Sequence, residues 1–380
     1  MNHFRLLLAQ GFMISTTTTK KWEKDEKHSL NKKVVFVVKG IKGKGLGHCF
    51  RAWTIAQSLP AGIDRTFILS PNSHLGVKFF KQKLEDNVAL SDNDEDIINK
   101  IIEAKPKLVI NDILNTEPGY IKTIKKMNIP VINFEDIGLG SIYADCVINA
   151  VYSDSGNHKV LFGKDYADIR KDFVKPTREN INKNPTVSDI LISFGGEDPT
   201  NLTQKTLNII AKNPKLSSFH YYIALGPSYQ HQHNIEHFVK TKGIKATIIV
   251  NQDIAPLMAI VDMAITANCR TVFETAFMCL PTVVISANER ECLHTFYREA
   301  MFPYCGNGQL VNDAIIENNI LKLAYNADIR QSIVEKLFTM DLSKGMERII
   351  GQISKFIGHT NGHQPLVTHH LTHNIEKELS

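Results

Sequence analysis

Runs of apolar residues recur along this chain at near-regular intervals. In Val34-Val35-Phe36-Val37-Val38 every position is apolar and none alternates with a polar one. That texture predicts a strand covered on both faces. Similar runs follow at Thr66 to Leu69, Leu108 to Ile110, Val131 to Phe134 and Cys146 to Ile148. Between them lie stretches with helical spacing: His48 to about Leu59, Asp94 to Ala104 and Gly119 to Met127. Strands alternating with helices at this spacing predict a parallel sheet with helices on both faces.

The pattern breaks at 174–187, where two prolines, three asparagines and several charges form a polar stretch read as a linker. It then restarts. Asp189 to Phe194, Tyr221 to Ala224, Ala246 to Val250, Met263 to Thr266 and Thr282 to Ser286 read as a second set of buried strands. The chain therefore divides into an extension over 1–32, a first lobe over 33–175, a linker over 176–187, a second lobe over 188–357 and a His-rich tail over 358–380. The expected fold class is α/β, with two Rossmann-like doubly wound lobes facing a central cleft. Open α/β sheets bind ligands at the carboxyl ends of their strands, so that cleft is where chemistry is expected.

Composition narrows the function. Of 380 residues, 43% are hydrophobic and 22% charged, ample for two cores and far from the disordered class. The net charge of +5 comes largely from scattered lysines with no basic, aromatic-interleaved stripe, which argues against nucleic acid and suits a small anion. Six cysteines include no C-x-x-C pair and read as free thiols of a cytoplasmic protein. No apolar run is long enough to cross a membrane. The chain is expected to be monomeric and to need no cofactor or metal. The histidines of the tail, His359, His363, His369, His370 and His373, lack a scaffold that would fix them as ligands.

Four places carry candidate chemistry. The first is Gly43-Lys44-Gly45-Leu46-Gly47-His48-Cys49-Phe50-Arg51, a glycine-rich turn between a strand and a helix. Its glycines, Gly45 and Gly47 among them, let backbone amides approach an anion. The spacing fits neither a P-loop nor a dinucleotide fingerprint. A helix start disfavours a second positive charge, which would keep His48 neutral and able to take a proton from water. Arg51, three residues on, shares its face. The second is the strand–Gly195-Gly196–helix turn, with Asp198, Thr200 or Asn201 as the helix cap. The third is Asn268-Cys269-Arg270-Thr271-Val272-Phe273-Glu274, where a carboxylate one turn into a helix would accept two hydrogen bonds from a ribose diol. The fourth is a set of acids and amides at strand ends in the first lobe: Asp112, Glu135, Asp136 and Asn149. Such groups would meet sugar hydroxyls or acetamido groups, though each is also an ordinary turn residue.

Taken in order, these segments resemble one family. The Gly-x-Gly-His-x-x-Arg turn, Phe134-Glu135-Asp136, Asn149, the run Phe162 to Phe173, Gly195-Gly196-Glu197-Asp198 and the Thr271-Val272-Phe273-Glu274 helix are similar to those of the UDP-2,4-diacetamido-2,4,6-trideoxy-β-L-altropyranose hydrolases of pseudaminic acid biosynthesis, with the related spore-coat polysaccharide proteins. The likeness covers about residues 33–310. It implies a GT-B fold and a metal-independent hydrolysis in which the histidine at the position of His48 activates water and UDP leaves with inversion. It implies that Gly195, Gly196 and Glu274 hold the nucleotide. Three departures touch the substrate contacts. The turn before Thr271 is Asn268-Cys269-Arg270, where the family carries small residues, so Arg270 would either crowd the diphosphate or pair with it. The pair after the next strand is Asn288-Glu289 where an Asn-Gln pair is usual. Leu114 stands near Asp112 where many members carry an aromatic residue. A glycosyltransferase on the same scaffold, using a UDP-sugar donor, is the alternative reading. An apolar, basic-rimmed patch on the first lobe would mark it, and no amphipathic segment in the sequence suggests one.

Overall fold

The computed structural model describes residues 32–38, 47–83, 87–153, 156–157, 159–179 and 186–358. Nearly all of the N-terminal extension and of the His-rich tail, half of the linker, and Gly45 lie outside these residues.

The first sheet is built from β1 (Lys33–Val38), β2 (Asp64–Leu69), β3 (Val88–Leu90), β4 (Leu108–Asp112), β5 (Val131–Phe134), β6 (Cys146–Asn149) and β7 (Val160–Phe162). Its strand order is β3-β2-β1-β4-β5-β6-β7 and every pairing is parallel. Helices α1 (Gly47–Ser58), α2 (His74–Gln82), α3 (Asp94–Ala104) and α4 (Pro118–Lys126) connect the strands. The unbroken apolar run in β1 is explained by where its two faces go. Val34, Phe36 and Val38 pack with Cys49, Ala52 and Ile55 of α1 and Phe79 and Phe80 of α2. Val35 and Val37 pack with Ile97 and Ile101 of α3 and Ile121 and Ile124 of α4. Both faces are covered, so no position is left for a polar side chain.

The second sheet contains β8 (Asp189–Ser193), β9 (His220–Leu225), β10 (Ala246–Val250), β11 (Met263–Ala267), β12 (Thr282–Ser286) and β13 (Tyr304–Asn307). They run in the order β10-β9-β8-β11-β12-β13, again all parallel. The helices here are α5 (Leu202–Lys212), α6 (Pro214–Ser217), α7 (Gln232–Lys242), α8 (Ala255–Met258), α9 (Thr271–Phe277), α10 (Phe296–Glu299), α11 (Asp313–Tyr325), α12 (Ala327–Thr339) and α13 (Gly345–Ile357). Among the described residues no helix is long and apolar enough to cross a membrane.

One helix departs from the sequence order. Although α13 follows the second sheet in the chain, its Ile349, Ile353 and Ile357 are buried in the first lobe's core beside Val34 and Ala52. Its amphipathic pattern shows that one face is buried but not against which lobe. The chain thus crosses between lobes twice, and the second lobe read from the sequence ends in a helix that belongs to the packing of the first.

Both sheets reverse strand order at one point, between β1 and β4 and between β8 and β11. These switch points are where doubly wound sheets open a crevice. The carboxyl-end loops of the two sheets touch. Arg270, after β11, donates to the Gly47 carbonyl at the start of α1. Arg290, after β12, donates to the Leu114 and Glu135 carbonyls, beyond the ends of β4 and β5. The two crevices therefore face one another.

Candidate active site

The first lobe's switch point gathers His48 and Arg51 from α1 with Asp112, the last residue of β4. These residues lie about sixty positions apart in sequence and are brought together by the parallel pairing of β1 and β4. His48 Nδ1 lies 2.5 Å from Asp112 Oδ1. Arg51 grips the same carboxylate with two parallel bonds, Nε to Oδ2 and Nη2 to Oδ1, both 2.7 Å. Arg51 Nη1 also reaches Glu135 Oε1 at 3.3 Å. Arg51, Asp112 and Glu135 are all buried.

Burial opposes ionisation of Asp112, but the Arg51 guanidinium and His48 outweigh it and hold the carboxyl well below the usual range. An ionised carboxylate can only accept, so Nδ1 of His48 carries the hydrogen and Nε2 presents the lone pair. No described residue bonds to Nε2, and the His48 side chain keeps 13% exposure. The ring sits at the start of α1, as anticipated from the sequence, with the Asp112 carboxylate against its Nδ1.

Glu135 sits differently. Burial pushes its carboxyl up to about 7, since Arg51 is already shared with Asp112, and Asp168 and Asp112 add repulsion. Its Oε2 is buried without a hydrogen-bond partner. Its backbone is left-handed, with φ 52°, as is that of Leu114, with φ 74°.

The other first-lobe candidates divide. The Asp136 carboxylate is fully committed inside the protein. It accepts from the Thr116 amide at 3.0 Å, the Thr116 hydroxyl at 2.6 Å, Asn133 Nδ2 at 2.6 Å and the Gly138 amide at 2.8 Å. With four donors bound, it pins the turns after β4 and β5. Asn149 donates to the Asp136 carbonyl at 3.2 Å, and its Oδ1 is buried and unpaired.

In the second lobe Gly195 takes φ 82°, and a Cβ there would meet nothing within 4 Å, so the turn is open above it. Gly196 backs onto Gly226, whose hydrogen cannot be replaced by a methyl without striking the Gly196 backbone. The first turn of α5 is already capped: Asp198 accepts from the Leu202 and Thr203 amides at 2.8 Å each, and Asn201 accepts from Gln204. Asp198 and Asn201 thus share the cap, and the glycine turn lies outside it.

Asn268 is wholly buried. Its Nδ2 reaches the Glu291 carbonyl at 2.8 Å and the His294 carbonyl at 3.1 Å, tying down the 287–294 loop. Its Oδ1 is buried without a hydrogen-bond partner among the described residues. Arg270 binds Asp168 with two nitrogens and the Gly47 carbonyl at 2.9 Å, so it bridges the lobes beside His48. Thr271 is the buried first residue of α9. Glu274, partly exposed on the same helix, lies 3.5 Å from Arg170. Asn288 and Glu289 are exposed at the rim of the 287–294 loop, where Asn288 Oδ1 accepts from the Glu291 amide. Three residues of this junction were not anticipated: Asp168, Arg170 and Arg290. Asp168 and Arg170 lay inside the family-like run Phe162 to Phe173, and Arg290 directly follows Asn288-Glu289, but their partners are remote in sequence. Among the described residues no group of three or more His, Cys, Asp or Glu gathers as a metal site would.

No family model matches the chain. It is 31% identical over 290 residues to the uncharacterized protein MJ1062 of Methanocaldococcus jannaschii, covering 70% of this chain and 58% of that protein, so it spans little more than half of that relative's length. It is 26% identical over 301 residues to the spore coat polysaccharide biosynthesis protein SpsG of Bacillus subtilis, covering 76% of this chain and 88% of that one. Among solved structures, MurG of Acinetobacter baumannii superimposes with a TM-score of 0.63 at 14% identity, over 85% of this chain and 99% of that one. The UDP-GlcNAc 2-epimerase of Neisseria meningitidis bound to UDP-GlcNAc gives 0.56 at 14% identity, over 85% and 100%. The fold is thus GT-B-like, two Rossmann-type lobes across a cleft.

Proposed function

We propose that this chain is a nucleotide-sugar hydrolase that releases UDP from a UDP-linked 2,4-diacetamido-trideoxy sugar, in the biosynthesis of a nonulosonic acid or a surface polysaccharide. The observation that carries the reading is the His48–Asp112–Arg51 constellation at the first switch point, opposite an open glycine turn at the second. His48 Nε2 takes a proton from water as the water oxygen bonds to the anomeric carbon. The bond from that carbon to the phosphate oxygen breaks, and UDP leaves with the electron pair. Asp112 holds the imidazole by Nδ1 and balances the charge it gains, in the manner of other carboxylate–histidine pairs. Arg51 keeps Asp112 ionised. Gly195 and Gly196 receive the diphosphate and Glu274 the ribose hydroxyls. SpsG, which acts in polysaccharide biosynthesis by its name, and the UDP-GlcNAc bound to the Neisseria epimerase support the substrate class.

One observation favours a second reading, a glycosyltransferase that places an acceptor hydroxyl where the hydrolase places water. The turn after β5 exposes Ile137, Leu139 and Ile142, and Lys122 of α4 stacks on Tyr143 beside it at 4.2 Å. Such a patch is hard to read from sequence because its apolar residues are separated by glycines and follow no helical period. UDP release from a panel of UDP-diacetamido sugars, followed by NMR, distinguishes the two. Hydrolysis predicts release from donor alone at a rate unaffected by added acceptor. Release that depends on an acceptor would assign transfer, and no release from any donor would defeat both.

A further inference from the structure

One arginine that spans the cleft is accounted for by neither the motif nor the active-site chemistry. Arg290 extends from the loop after β12 into the first lobe. Its Nη1 donates to Asn115 Oδ1 at 2.7 Å, and its Nη2 donates to the Glu135 carbonyl at 2.5 Å and the Leu114 carbonyl at 3.3 Å. Its guanidinium lies 5.6 Å from the centre of the Tyr152 ring. The two carbonyls belong to residues that share an uncommon property. Leu114 and Glu135 are both left-handed without being glycine, and they follow adjacent strands, β4 and β5. Side chains rarely adopt that backbone unless the surroundings impose it, and residues held so cluster at functional sites.

The turns bear directly on the reacting group. Leu114 lies two residues beyond Asp112, which holds His48, and Glu135 carries the carboxyl that meets Arg51, which holds Asp112. The Ile137 amide donates to the Leu114 carbonyl, so the two turns are also bonded to each other. A planar guanidinium can serve several acceptors in a fixed fork, which an ammonium cannot.

We propose that Arg290 is a positioning residue: by binding both strained turns across the cleft, it makes the geometry of the Asp112–His48 pair depend on closure of the second lobe. The inference rests on the hydrolase reading for its effect on turnover, but the fastening of the turns stands apart from it. In an open molecule the turns lose their shared cation, and the base is aligned only when the nucleotide-binding lobe is in place.

The test uses the full chain with Arg290→Ala and Arg290→Lys. Hydrogen exchange of the amides in 113–117 and 135–138 is measured first, in a protein of confirmed thermal unfolding temperature. The expected result is exchange at least tenfold faster in these two segments with Arg290→Ala, and little change in α3 or α5. With a UDP-sugar that the wild type hydrolyses, kcat falls about 100-fold while KM moves less than about threefold, Arg290→Lys recovers little, and added guanidinium restores part of the rate to the Ala variant only. Unchanged exchange in both segments overturns the proposal. Faster exchange with unchanged kcat also overturns it, leaving a strut without a positioning role. A wild type that hydrolyses no UDP-sugar removes the hydrolase reading and with it the claim on turnover, whereas the fastening is decided by the exchange result alone.

Discussion

Glu135 offers a quantitative check on the electrostatics of the junction. Glu135 is 5% exposed, one carboxyl oxygen has no partner among the described residues, and Arg51, which is bonded to the other, is bound twice by Asp112. Burial is the main reason that it titrates at about 7, against an ordinary 4.5. A folded-state value raised in this way means that the native protein holds a proton the unfolded chain has released. The stability this confers is full below about pH 4.5 and is lost as the pH rises through 7. At about 1.4 kcal/mol for each pH unit of separation, the loss amounts to about 3 kcal/mol. Glu135→Gln, neutral at every pH, removes this dependence. Urea unfolding of both proteins at pH 5, 6, 7 and 8 measures it. The stability of the variant relative to wild type rises by about 2–3 kcal/mol from pH 5 to pH 8, most of it between 5 and 7. A difference flat across that range would refute the reasoning, because it would mean that Arg51 or solvent compensates the buried charge in full.

Other outcomes follow from the same structure. Arg51→Met leaves Asp112 buried without its two-pronged partner and is expected to destabilise by about 3–5 kcal/mol in chemical denaturation. Adding Asp112→Asn recovers part of that loss, and a cost below about 1 kcal/mol would contradict the account of the buried pair. Gly345→Ala places a methyl group against the Ala167 carbonyl and must push α13 off the first lobe. A loss of about 1–3 kcal/mol is expected by thermal or urea unfolding, and wild-type stability would contradict the docking. Gly195→Ala has room for its methyl group but not the backbone freedom at φ 82°. It costs about 1 kcal/mol of stability and weakens UDP binding in calorimetry, whereas unchanged UDP affinity would remove the glycine turn from the nucleotide site.

The doubly wound architecture was legible because its physics is local. A strand such as β1 between two helical layers has no polar position, and a helix such as α3, Asp94–Ala104, announces itself by acids in its first turn and isoleucines at helical spacing. Elements that escaped are short or depend on remote packing. Strands β3 and β7 have three residues each, and β13 carries a glycine. The site was legible in half. Residues His48 and Arg51 share a helical face by spacing alone, and Asp112 stands at a strand end, but only the sheet pairing brings them within 3 Å. Strand-end logic picked out Asp136, and the turn before α9 picked out Asn268, but a ligand-facing polar residue and a loop-pinning one look alike in sequence. What separates them is the count of internal donors and acceptors, which is a property of the fold. Arg270 stood out in sequence but its role did not, and Arg290 had no distinguishing local signal, since each meets partners more than 100 residues away.

The most direct measurement compares His48→Ala with wild type for UDP release and for UDP affinity in one preparation. The account predicts an unchanged fold and UDP dissociation constant with turnover reduced about 10²–10⁴-fold, the usual contribution of a positioned base. Turnover near the wild-type rate would mean that the imidazole held by Asp112 does not handle the proton, and the proposed chemistry would have to be abandoned.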